Sequence, residues 1–313
     1  MELTGRRVVI TGGAGLIGSH LADALAADND VLVADNLQKG TRDRVPDAVE
    51  FANLDVRDPD DVAAAITADV DVVFHLAAYT DTNHPEPRRL FEENDAMTYN
   101  VLERMREVGV ERLLFTSSST VYGEAPMPTP EDYAPLEPIS IYGASKLSEE
   151  GLISTYAHSH GIDAYVVRFA NIVGPHQRGT VIPDFIEKLL ADPSTLEILG
   201  DGRQEKSYMH VEECVDAMTH VVEHATDRCS IVNLGTKTTT SVTRIADVVA
   251  DELDVDPTYE YTGGDRGWTG DVPKMRLSIE KLSALGWEPS LSSDESVRRA
   301  ARELAAEIRA ERS

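Results

Sequence analysis

The segment RRVVITGGAGLIGSHLADAL, residues 6–25, constrains this chain more than any other. A β-branched apolar run, a glycine-rich turn and a helix-periodic stretch follow one another without a gap, with Gly12, Gly15 and Gly18 three residues apart. Gly12 permits a tight turn, Gly15 lets backbone N–H groups approach a pyrophosphate, and Gly18 lets the helix pack close on the strand. Leu16 and Ile17 open that helix beside the same phosphates. Asp35 closes the next apolar run, where a carboxylate accepts hydrogen bonds from adenosine ribose hydroxyls and repels a 2′-phosphate. NAD is therefore favoured over NADP, with Lys39 and Arg42 nearby keeping the second open. Asn36, Asp55 and Val56 are further candidates around the adenosine.

Five-residue apolar runs recur at Arg7–Thr11, Val31–Asp35, Val49–Asn53, Val72–Leu76, Leu113–Ser117 and Ala164–Phe169. Segments of 3.6-residue periodicity lie between them at Leu16–Ala27, Val62–Ala68, Arg89–Val108 and Ala144–His160. Near-continuous apolar strands alternating with helices predict an α/β fold, a doubly wound parallel sheet of Rossmann type covered on both faces. The proline-rich stretch Glu124–Pro138 breaks the rhythm and reads as a long loop.

Beyond Gly174 the pattern loosens into helices at Ile182–Leu190, Val211–His224 and Val242–Leu253 and strands at Leu196–Leu199 and Ser230–Leu234. With 313 residues, the expected division is a first domain at 1–173, rejoined by about 207–238. A smaller C-terminal α/β lobe, 174–206 and 239–313, would carry the substrate. The last twenty or so residues read as a solvated amphipathic helix.

Fifty-five acidic against 29 basic side chains leave a net charge of −26, which repels a phosphate backbone and disfavours nucleic acid. The basic residues are seven lysines and 22 arginines, a composition that resembles proteins of extreme halophiles. At molar salt the Debye length falls to ~3 Å and self-repulsion is screened, so loss of structure is expected in dilute buffer. No apolar run approaches a membrane span. The start MELTGRRVVI runs straight into a strand, so a cytoplasmic protein without a secretory segment is expected. Cys214 and Cys229 lack metal-ligand spacing and read as buried thiols. The nine histidines show no ligand pattern either, His158 and His160 reading as surface residues, and no metal site is expected.

Tyr142 and Lys146 form Tyr-x-x-x-Lys at the start of a helical segment, which puts both side chains on one face. An ammonium close to a phenol, together with a positive nicotinamide, favours the phenolate. Ser117, Ser118 and Ser119 end a strand, at the edge where doubly wound sheets bind ligands, and a serine there can hydrogen-bond the reacting oxygen.

TGGAGLIGSH, Asp35-Asn36, HLAA at 75–78, SSSTVYG, YGASK, RFANIVGP and KSYMHV occur in this order. The set resembles the extended short-chain dehydrogenases/reductases, the NAD-dependent epimerase/dehydratase family, over nearly the whole chain. Within it the chain is most similar to UDP-glucose 4-epimerases, in particular their archaeal forms. The resemblance implies Ser118 as the catalytic serine, Tyr142 as the base, and Lys146 as its partner on the nicotinamide ribose. It implies Leu76, Ala77, Ala78, Asn94, Ser117 and Phe169 around the cofactor. Ser118 and Tyr142 would also meet the sugar, Asn171 the substrate diphosphate, and Lys206 and Arg266 its phosphates. Related 4,6-dehydratases carry acidic residues after the catalytic serine or threonine, where Ser119 and Thr120 stand here, so dehydration is disfavoured. Met275 falls near a position where a bulky aromatic can restrict N-acetylated sugars. The family also implies a homodimer through Arg89–Val108 and Ala144–His160. Other UDP-sugar epimerisations, a keto-sugar reductase and a noncatalytic NAD-binding sensor remain as alternatives.

Overall fold

The computed structural model describes residues 1–80, 85–267 and 272–312. In chain order the first half comprises β1 (Arg7–Thr11), α1 (Leu16–Ala26), β2 (Asp30–Asp35), β3 (Glu50–Asn53), α2 (Pro59–Ala65), β4 (Val72–His75), α3 (Pro87–Val108), β5 (Arg112–Ser118), α4 (Ile141–His160) and β6 (Asp163–Phe169). The second half continues with β7 (Asn171–Val173), α5 (Val181–Ala191), β8 (Thr195–Ile198), β9 (Glu205–Lys206), β10 (Tyr208–His210), α6 (Val211–His224) and β11 (Cys229–Leu234). It ends with β12 (Thr240–Ser241), α7 (Val242–Leu253), β13 (Thr258–Tyr261), β14 (Lys274–Met275), α8 (Glu280–Ala284) and α9 (Ser293–Glu311).

Seven strands form one sheet in the order β11-β6-β5-β4-β1-β2-β3, every pairing parallel. The pleat sends Val8 and Ile10 into one core and Val9 into the other, which is why β1 is apolar throughout. α1 and α6 cover the first face with Leu21, Leu25, Val215 and Met218. α3 and α4 cover the second with Leu90, Val101, Leu102, Met105 and Ile153. Each such fully buried aliphatic side chain contributes roughly 1.5–3 kcal/mol. Strand order reverses between β1 and β4, so their carboxyl ends open a crevice.

A third core lies among α5, α7 and α9. The C-terminal stretch is therefore more than a solvated helix: Val297, Ala300, Ala301, Leu304, Ala305 and Ile308 line its inner face and are buried, and Ser292 and Glu295 close its start as a capping box. Within 239–313, Ile279, Leu282 and Trp287 pack on the first core. Trp287 Nε1 donates to Asp216 Oδ2 on α6 at 2.6 Å, anchoring that segment there. Glu124–Pro138 contains no regular element but is pinned at Thr129, which bonds the backbones of Arg276 and Ser278. Cys214 is buried and Cys229 only half-buried, at the start of β11, the edge strand of the sheet among the described residues. No described helix is long and apolar enough to cross a membrane.

Candidate active site

A cleft of about 1480 Å³ follows the carboxyl edge of the sheet and continues under the lobe. Its floor is the turn after β1. Gly12 has φ +70°, and a Cβ there would sit 2.6 Å from the Ala77 amide nitrogen, so only glycine lets the turn lie against the end of β4. The Ala14 and Leu37 amides donate to the two Asp35 oxygens at 2.9 and 2.7 Å, locking the glycine turn to the end of β2. Gly15 caps α1 with no side-chain hydrogen bond and no acidic residue in the first turn, leaving the helix N-terminus open to an anion. A diphosphate on this turn with a ribose at Asp35 fits the donors and acceptors present. Beyond Asp35, Gln38, Val56, Arg57 and Tyr79 continue the wall.

Asp55 is not among the residues lining the cleft. Its carboxylate receives the Arg57 guanidinium at 2.5 Å and Asn36 Nδ2 at 3.2 Å, and the Arg57 hydrogen bond holds its pKa down to about 2. Arg57 in turn reaches Tyr79 Oη at 3.0 Å and Glu93 at 2.7 Å. Arg42 is turned away as well, its guanidinium over the Phe51 ring, 5.1 Å from the centroid, while Lys39 lines the cleft. Asn94 is fully buried behind the wall: it brackets the backbone of Tyr79 at 2.8 and 3.1 Å and donates to Ser145 Oγ. The reason is its position on the inward face of α3, where every amide group is spent on the frame.

At the other end of the cleft, β5 delivers Ser117 and Ser118 and α4 delivers Tyr142 and Lys146. Ser140 caps α4 by accepting from the Gly143 amide at 3.0 Å. A Cβ on Gly143 would lie 2.7 Å from the Thr120 carbonyl oxygen, so the glycine lets α4 start directly on the turn that follows Ser118. Ser118 Oγ accepts from the Thr120 amide at 3.2 Å and from Thr120 Oγ1 at 2.9 Å. Burial pushes the Tyr142 pKa up, the Glu149 charge adds to this, and the nearby Ser118 hydroxyl opposes it. Lys146 is buried; its ammonium sits 4.4 Å from the Phe115 ring centroid and 6.0 Å from that of Tyr142.

The structure brings Gly12, Gly15, Leu16, Ile17, Gly18, Asp35, Asn36, Val56, Leu76, Ala77 and Ala78 to this cleft, together with Ser117, Ser118, Tyr142, Lys146, Phe169, Asn171 and Lys206. It does not bring Asp55, Asn94 or Arg266. Arg266 is paired with Glu124 outside the lining, where the loop after β5 and the segment after β13 meet. The rest of GGDRGWTGD, 268–271, lies outside the described residues.

Residues 8–235 match the model of the NAD dependent epimerase/dehydratase family. The chain belongs to this family. Among solved structures, one described as UDP-galactose 4-epimerase is 41% identical, with a TM-score of 0.88 over 96% of this chain and 99% of its own. A Methanocaldococcus jannaschii protein provisionally named UDP-glucose 4-epimerase is 33% identical over 93% of this chain and 96% of its own length. UDP-glucuronic acid decarboxylase 2 of Arabidopsis thaliana is 32% identical over 93% of this chain and 66% of its own. Seven parallel strands and the edge cleft are thus an NAD-dependent epimerase/dehydratase fold.

Sequence reasoning missed Arg57, Tyr79, His176 and Arg178 on the cleft wall and His75, Thr98 and Glu149 behind it. Arg57 and Tyr79 carry no motif, since they become neighbours only when the segments that follow β3 and β4 meet at the carboxyl edge of the sheet, with β1 and β2 between the two strands. Glu149 carried a signal: it lies three residues after Lys146, on the same helical face.

Proposed function

We propose that this family member is a nucleotide-sugar 4-epimerase interconverting UDP-glucose and UDP-galactose. The supporting observation is the joint placement of Ser118, Tyr142 and Lys146 in one cleft with the glycine turn and Asp35 at the other end. The cofactor would be held by Gly12–Gly18 on its diphosphate, Asp35 on the adenosine ribose and Lys146 on the nicotinamide side. When bound, NAD supplies the acceptor and then the donor of the hydride at sugar C4.

The chain's own groups do the rest. Tyr142, as phenolate, takes the proton of the C4 hydroxyl while the C4–H bond breaks, and a 4-ketone results. Ser118, its lone pairs engaged by Thr120, directs its hydroxyl proton toward the reacting oxygen. Lys146 stabilises the negative phenolate. The ketone turns about its diphosphate linkage, hydride returns to the opposite face, and Tyr142 returns the proton, so configuration inverts without net oxidation. Asn171 and Lys206 would hold the diphosphate while the sugar turns. Ser119 and Thr120 offer no carboxylate for proton removal at C5, which argues against dehydration.

The likeness to a decarboxylase supports a second reading. A 4-ketone in a UDP-uronate is a β-keto acid and can lose its carboxylate from C5. Purified protein in molar salt, given UDP-galactose and no added cofactor, is expected to form UDP-glucose in proton NMR spectra, with NAD released on denaturation. Carbon dioxide from UDP-glucuronate, with UDP-galactose untouched even after NAD addition, would replace the epimerase reading by the second. A homodimer through α3 and α4 belongs to the same proposal. Tyr99 on α3 stands 48% exposed with its ring edge-on to Tyr156 of α4, and light scattering should give twice the 34.2 kDa chain mass.

A further inference from the structure

Behind the proposed catalytic pair a line of buried polar groups runs from the glycine turn to Lys146. The Ala77 amide donates to Thr11 Oγ1 at 3.4 Å, Thr11 Oγ1 lies 2.7 Å from His75 Nδ1, and His75 Nε2 lies 3.1 Å from Thr98 Oγ1. Thr98 Oγ1 donates to Glu149 Oε2 at 2.7 Å, and Lys146 Nζ donates to the same oxygen at 3.3 Å. The carboxylate end sets every direction in this line. Thr98 gives its proton to Glu149, so it accepts from His75 Nε2–H, and neutral His75 accepts at Nδ1 from the Thr11 hydroxyl. Burial, helped by the Lys146 charge, pushes the His75 pKa down to about 3, which keeps the imidazole neutral.

Thr11, His75, Thr98, Lys146 and Glu149 are each at most 1% exposed. Among the described residues Glu149 is the hydrogen-bond partner of the ammonium, and Glu149 Oε1 has no partner. A carboxylate left half-satisfied at such depth is costly for stability alone. Its charged and titratable surroundings are Lys146 and Tyr142 on its own helix and Asp95 on α3, with neutral His75 of β4 one hydrogen bond beyond Thr98. Glu150, next in sequence, is paired with Arg168 instead.

We infer that Glu149 is the positioning counter-ion of Lys146: anchored through Thr98 and His75 to Thr11, it fixes the ammonium beside Tyr142 and offsets part of its pull on the phenol. The lysine then favours the phenolate less than an unpaired ammonium would, and its place is tied to the strand that carries the glycine turn. This rests on Tyr142 acting as the base, but its test needs no substrate.

The test is a pH titration of the near-ultraviolet phenolate absorbance of the NAD-loaded protein. The spectrum of Tyr142→Phe, subtracted, isolates Tyr142 from the other nine of ten tyrosines. Glu149→Gln keeps the shape and removes the charge, and the Tyr142 midpoint is expected to fall by about one pH unit. That is roughly tenfold more phenolate below both midpoints. Thr98→Val leaves the carboxylate and its lysine but removes the other of its two donors. A carboxylate that has lost one donor takes up a proton more readily, so a smaller fall in the same direction is expected, and this variant carries the test if Glu149→Gln does not fold. A midpoint that stays in place or rises in the folded variant overturns the inference, and lost thermal stability with an unmoved midpoint would show a purely structural carboxylate. Inactivity of the native protein toward UDP-galactose would instead count against the proposed function and leave this titration readable.

Discussion

Glu149 and Glu150 are neighbours on α4, both buried, and they face two differently built networks. Glu150 receives Arg168 through Nε at 2.9 Å and Nη2 at 2.7 Å, and Ser117 Oγ at 2.5 Å. Arg168 continues to Tyr122 Oη at 2.8 Å, Tyr122 to Asn233 at 2.8 Å, and Asn233 to the backbones of Thr129 and Ser278. Both carboxylate oxygens are matched, and α4, β5, β6, β11 and the long loop are joined. Glu149 has one matched oxygen and leans on a lysine that also opens to the cleft. The difference separates a frame from a working site. Where every lone pair is satisfied a buried charge specifies geometry, and where one is not, the cost points to a function.

Removing Arg168 breaks the comparison most sharply. Arg168→Met strands the buried Glu150 carboxylate and is expected to cost about 3–5 kcal/mol in denaturant unfolding, while the folded fraction keeps its turnover. A loss under 1 kcal/mol would show that the paired network is not the frame. Tyr142→Phe should do the reverse, lowering turnover about 10³-fold, or ~4 kcal/mol, with UDP binding and melting temperature nearly unchanged. Equal loss of binding and turnover would remove Tyr142 from the chemistry.

Salt sharpens the same contrast. The net charge of −26 should unfold the protein in dilute buffer, followed by circular dichroism, because exposed charges are screened only at high ionic strength. The Arg168→Met penalty should stay constant across salt, since that pair is buried. Lys206→Ala is expected to raise KM about tenfold, ~1.4 kcal/mol, with turnover held, as its half-buried place on the cleft wall implies.

The smallest effects are in pH. Asp55 is held at about 2 by Arg57, so its stabilisation is present above the ordinary carboxylate value and fades as pH falls toward 2; Asp55→Asn should flatten that acid limb of the stability curve. Glu149 has the opposite sign. Burial raises its pKa, so the native state holds the proton more tightly and stability falls as pH rises from the ordinary carboxylate value to the folded one. Glu149→Gln should remove that decline.

Much of the molecule was readable before folding. Alternating β-branched runs and helical periodicities located all seven strands of the main sheet, because a strand buried on both faces must be apolar throughout. The glycine spacing located the turn on the cleft floor, and i,i+4 spacing put Tyr142 beside Lys146. The inner face of α9 was less legible, since its buried positions are mostly alanines between arginines and glutamates. Asn94 and Asp55, read as candidates around the cofactor, are hydrogen-bonded into the wall of the cleft, partners that no local pattern shows.

The sequence by itself determined the parallel sheet, the glycine turn and the serine, tyrosine and lysine that meet in the cleft, because these depend on local periodicity and short spacings. Only the tertiary structure decided that Thr11, His75, Thr98 and Glu149 form one line, and that Glu150 joins Arg168 rather than Lys146. Those partners lie up to 64 residues apart within a single hydrogen bond, and such contacts exist only once β1, β4, α3 and α4 have packed and excluded the water that would otherwise satisfy them.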